Sequence, residues 1–326
     1  MKECPLVSVI TPSWNQAQFI EETLLSVKGQ DYANLEHIVI DGGSTDGTVG
    51  ILRRYEEEYN LRWVSEPDEG QSDGINKGFR MAGGEIIGWL NSDDTYMPGA
   101  VSTAVECLME HPEAGWVHGD GYWIDEHSQV LDTWESTPST LKKLLCNSYS
   151  IVQPTVFFRK GLLRDTGYLD LKLDYVMDVD FFYRLALVSR SCYTPQVLAT
   201  RRLHDQAKTK ANKTDFIPDR FAMLDKLFER SDLPKEIRQV EDKVYSRNHL
   251  MAGFWAFVAG DVRASRRHLW RGIKLAPNPF RMQVLKGLIT LTQSYLGIRW
   301  YVPGQRTRAR RRQRTSGDVS VKWTRC

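Results

Sequence analysis

The sequence lacks the features that would place it in several common classes of protein. Its five cysteines, Cys4, Cys107, Cys146, Cys192 and Cys326, show neither metal-ligand spacing nor a paired framework, and we expect reduced thiols. The longest apolar runs are too short to cross a bilayer, and the chain opens on polar residues where a secretory signal would be apolar. Lys and Arg (43) nearly balance Asp and Glu (41), so the overall charge gives no reason to expect a nucleic-acid partner. These absences predict a cytoplasmic globular protein.

The usual nucleotide-binding motifs are missing as well. G-x-G-x-x-G does not follow the first predicted strand, and G-x-x-x-x-G-K-[ST] occurs nowhere. A glycine-rich segment follows the second strand, but Gly42, Gly43 and Gly47 fit a tight turn, with Asp41 as the functional group. A phosphatase with an aspartate nucleophile would need a second aspartate two positions after Asp41, where Gly43 stands.

The first hundred residues contain four apolar runs that predict buried strands, each followed by a helical pattern. The runs cover residues 6–10, 37–40, 61–64 and 85–90. This repetition predicts a parallel sheet with right-handed crossovers. The carboxyl ends of such strands meet at one edge, where ligands bind in open α/β sheets. Polar residues stand at each of these ends: Thr11, Asp41, Asp68, Asp93 and Asp94.

Two adjacent acids, Asp93 and Asp94, follow the fourth strand, and Pro98 marks the start of the next helix. Carboxylate oxygens on a short loop suit Mg²⁺ or Mn²⁺, with substrate phosphates completing the coordination. The alternative is an ordinary solvated turn rich in Asn, Ser and Asp. The sequence around this pair leaves both interpretations open.

Four segments together resemble the nucleotide-sugar-binding half of glycosyltransferase family 2. They are VSVITPSWN (7–15), IVIDGGSTDGT (38–48), EPDEGQSDGINKGF (66–79) and WLNSDDTYMPGA (89–100). Each is weak alone, but four in order at these separations form a strong signal. The resemblance implies an inverting enzyme with the α/β GT-A fold, a Rossmann-like and mostly parallel sheet flanked by helices.

The resemblance also implies a nucleotide-sugar donor site, most simply for a UDP-sugar. Thr11, Pro12 and Trp14 would line the nucleoside pocket. Asp41 would accept a hydrogen bond from the base, and Asp68 would lie near the base or ribose.

Asp93 and Asp94 would occupy the Asp-x-Asp position of the family and bind metal and diphosphate. Two departures stand out. Asn91 replaces a frequent aspartate, and Ile75-Asn76 replaces a frequent Arg-Asn pair. Asp73 and Asn76 are therefore included in the predicted donor site, without the usual cation.

The acceptor half contributes a second group of candidates. Asp178 aligns with the general base of the family, and Met177 replaces the preceding Glu. Asp180 is the alternative base, because the first turn of a helix favours either acid through its dipole. His204, in an Arg-x-His element, would lie near the metal or diphosphate. Trp116, Trp123 and Trp134 would form an acceptor platform or, more often for such residues, simply pack in the core.

The sequence divides into a catalytic domain (1–212, with halves 1–100 and 101–212), a helical extension (213–303) and a basic tail (304–326). The extension contains a helix pair in residues 244–276 and a helix in residues 284–301 with an apolar side. That helix and the arginine run at 305–315 predict either peripheral binding to an anionic membrane or an ordinary packed helix with a disordered tail.

We therefore predict an inverting, metal-dependent glycosyltransferase that modifies a hydroxyl of a glycan or lipid-linked glycan. Family resemblance alone suggests surface polysaccharide assembly at the inner face of the cell membrane. One alternative is a metal-dependent nucleotidyltransferase, which would usually have a glycine-rich, basic loop that residues 11–19 do not provide. The other is a catalytically silent binding scaffold, which the collection of aspartates disfavours.

Overall fold

A computed structural model describes residues 4–146, 151–208, 213–276, 278 and 282–296 of the chain. The chain divides into two compact units, residues 1–209 and residues 210–326. The division at residues 212 and 303 stays a prediction, and the arginine run at 305–315 lies outside the described residues.

In the described part of the first unit, nine strands form one sheet. They are β1 (Val7–Ser13), β2 (Leu35–Asp41), β3 (Leu61–Ser65), β4 (Ile86–Trp89), β5 (Thr95–Tyr96), β6 (Ala114–Ile124), β7 (Val130–Trp134), β8 (Phe157–Arg159) and β9 (Arg190–Arg202). Their order in the sheet is β3-β2-β1-β4-β8-β6-β9-β5, with β7 paired to β6.

Helices connect and cover these strands. They are α1 (Ile20–Lys28), α2 (Thr48–Tyr55), α3 (Gln71–Met81), α4 (Ala100–Glu110), α5 (Leu141–Cys146), α6 (Leu163–Thr166) and α7 (Met177–Val188). Two short 3₁₀ turns, Gln153–Thr155 and Lys160–Leu162, flank β8.

The parallel half of the sheet matches its prediction. β1 pairs in parallel with both β2 and β4, and β2 pairs in parallel with β3. All seven residues of β1 are buried, because helices cover both faces and the Val-Ile run meets apolar neighbours on each side. The carboxyl ends of β1, β2, β3 and β4 therefore form one edge, as the sequence predicted.

The other half is mixed. β8 pairs antiparallel with β4, and β9 pairs in parallel with β6 and antiparallel with β5. β6 and β7 form a hairpin. The apolar and aromatic sequence of residues 153–159 predicts one strand, but only Phe157–Arg159 is a strand, and Gln153–Thr155 forms a 3₁₀ turn. Pro154 lacks the N–H that a strand there would need to donate.

The core between the sheet and α4 contains a disulfide that contradicts one prediction. Val101, Ala104 and Leu108 of α4 are fully buried in this core. Cys107 on α4 and Cys192 on β9 are bonded, across a sequence separation of 85 residues. The expectation of five reduced thiols is thus wrong for this pair, because only the packing of α4 on β9 brings the two sulfurs together. Among the described residues, Cys4 and Cys146 take part in no disulfide.

The described secondary structure of the second unit consists of helices joined by short turns and loops. Its helices are α8 (Phe216–Phe228), α9 (Lys235–Arg238), α10 (Glu241–Ala259), α11 (Val262–Lys274) and α12 (Met282–Leu296). α10 and α11 form the predicted helix pair, and Leu250, Leu269, Val284 and Leu291 join α10, α11 and α12 in one core. Within the described ranges, no helix has the length and apolarity to cross a membrane.

Candidate functional site

The loop after β4 holds its two acids in different environments. Asp94 is buried, and its Oδ1 accepts a hydrogen bond from the backbone N–H of Arg202 at 2.9 Å. Burial, reinforced by the neighbouring charge of Asp93, raises the pKa of the Asp94 carboxyl to about 8. The Asp93 side chain is 22% exposed, and its Oδ2 lies 3.0 Å from Nε2 of His204. Asp93 is therefore the acid of the pair that faces solvent, and His204 accompanies it.

Arg202 anchors this loop from β9, a role that the sequence analysis missed. Its side chain is fully buried, and Nε donates to the backbone carbonyl of Asp93 at 2.9 Å. The other guanidinium nitrogens donate to the carbonyl of Asp125 (3.1 Å) and to Glu22 Oε2 (2.6 Å). The guanidinium also lies 4.9 Å from the ring centre of Phe19. The Arg-x-His element in the sequence contains this arginine, but the family resemblance gives a role only to its histidine.

Asn91 connects the loop to two other elements. Its Nδ2 donates to Asp94 Oδ2 (3.3 Å) and to Gln153 Oε1 (2.9 Å). Its Oδ1 accepts from Gln71 Nε2 and from the indole N–H of Trp89, both at 3.0 Å. An amide can donate and accept at once, which an aspartate at this position cannot do. Asn91, in the place of the aspartate frequent in the family, therefore connects β4, α3 and the turn at Gln153 by hydrogen bonds.

The geometry allows a test of the predicted metal site. In the described ranges, no three His, Cys, Asp or Glu side chains are arranged so that they could hold a metal ion. The inclusion of Asp94 among the ligands is not supported by its contacts, because both carboxylate oxygens accept hydrogen bonds inside the protein. Asp93 is partly exposed and His204 is buried beside it, so the two offer one oxygen and one nitrogen donor close together. Such a pair fits a Mg²⁺ or Mn²⁺ ion whose coordination is completed by substrate phosphates.

The residues at the end of β1 that are predicted to contact the nucleoside differ in their exposure to solvent. Trp14 is 64% exposed, so one large aromatic face is free to stack on a base. Pro12 is buried at the end of the strand. The Thr11 hydroxyl is fully buried and lies 2.8 Å from Nε2 of His37, a contact inside the sheet core that argues against its predicted role in the pocket. Ser13 Oγ is buried and finds no hydrogen-bond partner among the described residues, and sequence analysis did not single it out.

The two aspartates predicted near the base have different surroundings. Asp41 is fully buried, and its carboxylate accepts hydrogen bonds from the N–H of Ser44 (2.8 Å) and the hydroxyl of Ser65 (2.7 Å). These contacts give Asp41 a structural role in its turn. Asp68 is half-buried and packs against glycine: a Cβ at Gly42 would lie 2.9 Å from its Oδ2. A side chain at position 42 would therefore have to displace this carboxylate.

The side chains of Asp73 and Asn76, both predicted in the donor site, form contacts within the protein. Asp73 Oδ2 lies 3.4 Å from Nζ of Lys77, which also pairs with Glu66 at 3.1 Å. The amide of Asn76 is buried and exchanges two hydrogen bonds of 2.9 Å with the backbone of Leu169. Asn76 therefore links α3 to the loop that precedes α7. Because both of its polar atoms are used in this link, we do not include Asn76 in the proposed donor site.

The first turn of α7 separates the two candidate bases. Asp180 is buried and its Oδ2 accepts from Nε of Arg184 at 2.9 Å, so its charge is already paired. Asp178 is half-buried, and the hydrogen bond that it accepts among the described residues comes from the N–H of the adjacent Val179 at 2.8 Å. The contacts therefore favour Asp178 as the acid that is available to a substrate.

A chain of contacts brings the start of α7 toward the acidic loop. The Ser72 hydroxyl, in the first turn of α3, donates to the sulfur of Met177 at 2.8 Å. The preceding residue, Gln71, donates to Asn91, which holds Asp94. Asp178 directly follows Met177. Met177 and the loop after β4 therefore both contact the first turn of α3.

The three tryptophans do not form one platform. Trp116 is fully buried and stacks on Phe182, with ring centres 6.4 Å apart, so for this residue packing in the core is confirmed and the platform role is excluded. Trp123 and Trp134 are half-buried neighbours on the β6–β7 hairpin, 5.1 Å apart. The guanidinium of Arg201 lies 5.2 Å from the ring centre of Trp123. An acceptor role for these two stays a prediction.

Comparison with known protein families gives one clear match. Residues 8–165 match the model of "Glycosyl transferase family 2". An uncharacterized glycosyltransferase of Mycobacterium tuberculosis is 35% identical over 190 residues, which cover 58% of this chain and 71% of that protein. A glycosyltransferase of PGL/p-HBAD biosynthesis from Mycobacterium bovis is 26% identical over 203 residues, covering 61% and 74%.

Solved structures of similar shape cover nearly the whole chain. TarS of S. aureus (residues 1–349), in complex with UDP-GlcNAc, has a TM-score of 0.68 at 18% identity and covers 91% of this chain and 93% of its own. A mannosyltransferase of Pyrobaculum calidifontis, in complex with GDP-Man and Mn²⁺, has a TM-score of 0.61 at 22% identity, covering 90% and 87%. At these identities the likeness establishes the fold.

Proposed function

Because this chain belongs to glycosyltransferase family 2, we propose that it transfers a sugar from a nucleotide-sugar donor, with inversion, to a hydroxyl of a glycan or lipid-linked glycan. The GT-A fold predicted from the sequence is confirmed by the similarity to glycosyltransferase structures. The observation that carries the proposal is the pair formed by the partly exposed Asp93 and the buried His204, in a loop that Arg202 anchors at the carboxyl edge of the sheet.

The donor would bind along this edge. Trp14 would stack on the base, and the unpaired hydroxyl of Ser13 would donate to the nucleoside, in the place first assigned to Thr11. Asp68 would accept from the base or ribose. A divalent cation held by Asp93 and His204 would offset the charge that develops on the departing nucleoside diphosphate. Asp94, held by Asn91 and Arg202, would position Asp93 without contacting the cation.

The acceptor hydroxyl would lose its proton to Asp178 as its oxygen attacks the anomeric carbon. A single displacement from the face opposite the leaving group inverts the configuration. Asp180 is left out of this step, because its carboxylate is paired with Arg184. One of the solved structures holds UDP-GlcNAc and the other GDP-Man, so the donor sugar is not part of the proposal.

A panel of nucleoside diphosphates, measured by thermal shift with and without Mn²⁺, tests the donor site. A ligand that binds only the native state raises the melting temperature by mass action, so the largest shift identifies the base. We expect a shift that requires metal and that disappears in Asp93→Ala. Asp31→Ala is the matched control, because Asp31 is an exposed aspartate between α1 and β2, at the opposite edge of the sheet.

Equal shifts with a chelator, or in Asp93→Ala, would remove the metal from the mechanism. The product separates the proposed reaction from its alternative. A glycosyltransferase releases a nucleoside diphosphate from the nucleotide-sugar, whereas a nucleotidyltransferase working on the same compound with pyrophosphate would release a nucleoside triphosphate.

A further inference from the structure

The charge of the chain is strongly segregated along its sequence. Residues 262–317 contain 14 Lys and Arg and no Asp or Glu. The whole chain has a formal charge of +2, so the remaining residues carry −12, the difference between +2 and the +14 of this segment. Helices α11 and α12 account for the described part of the basic segment.

One face of α11 is basic and exposed. Arg263, Arg267, Arg271 and Lys274 are exposed there, together with Trp270, which is 46% exposed. Leu269 of the same helix is fully buried, so the opposite side of α11 packs in the core of the second unit. We call these five exposed residues the α11 basic face.

The neighbouring helix α12 exposes apolar side chains. Val284 and Leu291 pack in the core with Leu250 and Leu269, but much of the outward side is apolar as well. The α12 apolar face consists of Met282, Leu285, Leu288, Ile289 and Leu296, all between 38% and 66% exposed. Lys286 is the one charged residue of this 15-residue helix.

Aromatic contacts join the two faces. The indole N–H of Trp270 lies 3.3 Å from the hydroxyl of Tyr295, which is itself 57% exposed. The guanidinium of Arg266 lies 4.0 Å from the ring centre of Tyr295. Tryptophan and tyrosine next to basic side chains are typical of the membrane–water interface, where one end of the side chain is apolar and the other hydrated.

We propose that the α11 basic face and the α12 apolar face together dock on the surface of an anionic lipid bilayer. The apolar side chains of α12 enter the headgroup boundary, and the basic side chains of α11 contact lipid phosphates. A second copy of this chain is a poor occupant, because self-association would bring like charges together. Nucleic acid would pair with the basic face but leave the exposed leucines and isoleucine in water. The proposal is independent of the donor and acceptor assigned above.

Sedimentation of the full-length protein with vesicles tests this surface. One set of vesicles contains phosphatidylglycerol and phosphatidylcholine, and the other contains phosphatidylcholine alone. We expect binding to the anionic set that weakens with salt, and at least about tenfold weaker binding for L285Q/I289Q, since each replaced side chain loses apolar burial. Leu131→Gln is the control, because Leu131 is 54% exposed on β7 of the first unit.

A second pair of variants tests the electrostatic part. R263Q/R267Q should weaken binding about fivefold per arginine at low salt. R53Q/K142Q, which removes two exposed basic residues from the first unit, should bind as the parent does. Circular dichroism and melting temperature check that each variant is folded.

Equal binding of the parent to both vesicle sets would overturn the proposal, and so would unchanged binding by both α11 and α12 variants. Light scattering provides the other decisive outcome. If the parent is a dimer that L285Q/I289Q converts to a monomer, with vesicle binding intact, the α12 apolar face is a self-association surface instead.

Discussion

Asp178 and Asp180 lie in the same turn of α7, and replacing each by asparagine should give opposite phenotypes. Asp178→Asn keeps the size of the side chain and its hydrogen bond from Val179 but removes the basic carboxylate. We expect a loss of at least about a hundredfold in turnover, the lower range for general-base catalysis. Binding of metal and nucleoside diphosphate should survive, because the lost interaction acts in the transition state.

Asp180→Asn should affect stability instead. The side chains of Asp180 and Arg184 are only 7% and 12% exposed. Arg184 also donates to the carbonyls of Thr166 (2.6 Å) and Tyr168 (3.0 Å), so it fastens α6 and the following turn to α7. Removing one partner of a buried pair costs about 3–5 kcal/mol, and the asparagine oxygen should keep the cost near 3 kcal/mol. For a unit of this size that corresponds to a melting temperature lower by about 6–12 °C.

The assay combines three measurements on both variants: the rate of nucleoside-diphosphate release, the affinity for nucleoside diphosphate by calorimetry, and the melting temperature. Rates are compared well below the melting temperature of Asp180→Asn, so that its unfolding does not reduce them. An inactive Asp180→Asn with the parental melting temperature, beside an active Asp178→Asn, would refute the assignment of the base.

Three further predictions concern groups outside α7. Arg202→Met should destabilise the first unit by about 2–5 kcal/mol and abolish metal-dependent nucleotide binding, because the carbonyl of Asp93 loses its donor and Glu22 loses its ion-pair partner. Calorimetry and melting check this, and an unchanged variant would contradict it. Burial lowers the pKa of His249 from 6.5 to about 4, so the unfolded state binds more protons than the native state between these pH values. The second unit should therefore lose stability as the pH falls from about 6.5 toward about 4. His249→Gln should flatten this dependence of the melting temperature on pH. Reducing the Cys107–Cys192 bond should cost about 4 kcal/mol, since it closes a long loop, and a reductant should lower the melting temperature of the parent but not of the double serine variant.

The parallel half of the fold was readable from the sequence because its strands are buried on both faces. A run such as Val7–Ile10 has few interpretations other than a central strand, and parallel strands necessarily share a carboxyl edge. The convergence of the acidic loop and the ends of β1 and β2 could therefore be predicted. Such a run does not reveal which face of the sheet each side chain takes. The family resemblance predicts Thr11 in the pocket, but its hydroxyl contacts His37 in the core.

The rest of the site depends on contacts between distant parts of the chain. Arg202 and Asp94 are 108 residues apart, and nothing local in either segment encodes their hydrogen bond. The same holds for the two bonded cysteines, which no spacing rule connects. Asn76 shows the converse: its position in a family motif suggested a ligand, while the loop at Leu169 uses both of its polar atoms. Local pattern gives candidates, and tertiary packing decides which of them are free.

The anchoring of the acidic loop by β9 has a consequence for the time at which the site forms during synthesis. β1, β2 and β4 are complete once residue 89 has been made, yet the loop that follows is fixed only when Arg202 arrives from a strand that also pairs with β5. At about 5–20 residues per second, the ribosome needs roughly 5–20 s to add the intervening chain. A nascent polypeptide ending at residue 165 has no Asp178, Arg202 or His204. The acidic loop, and with it the proposed donor site, therefore takes its final form late, after nearly all of the first unit has been synthesised.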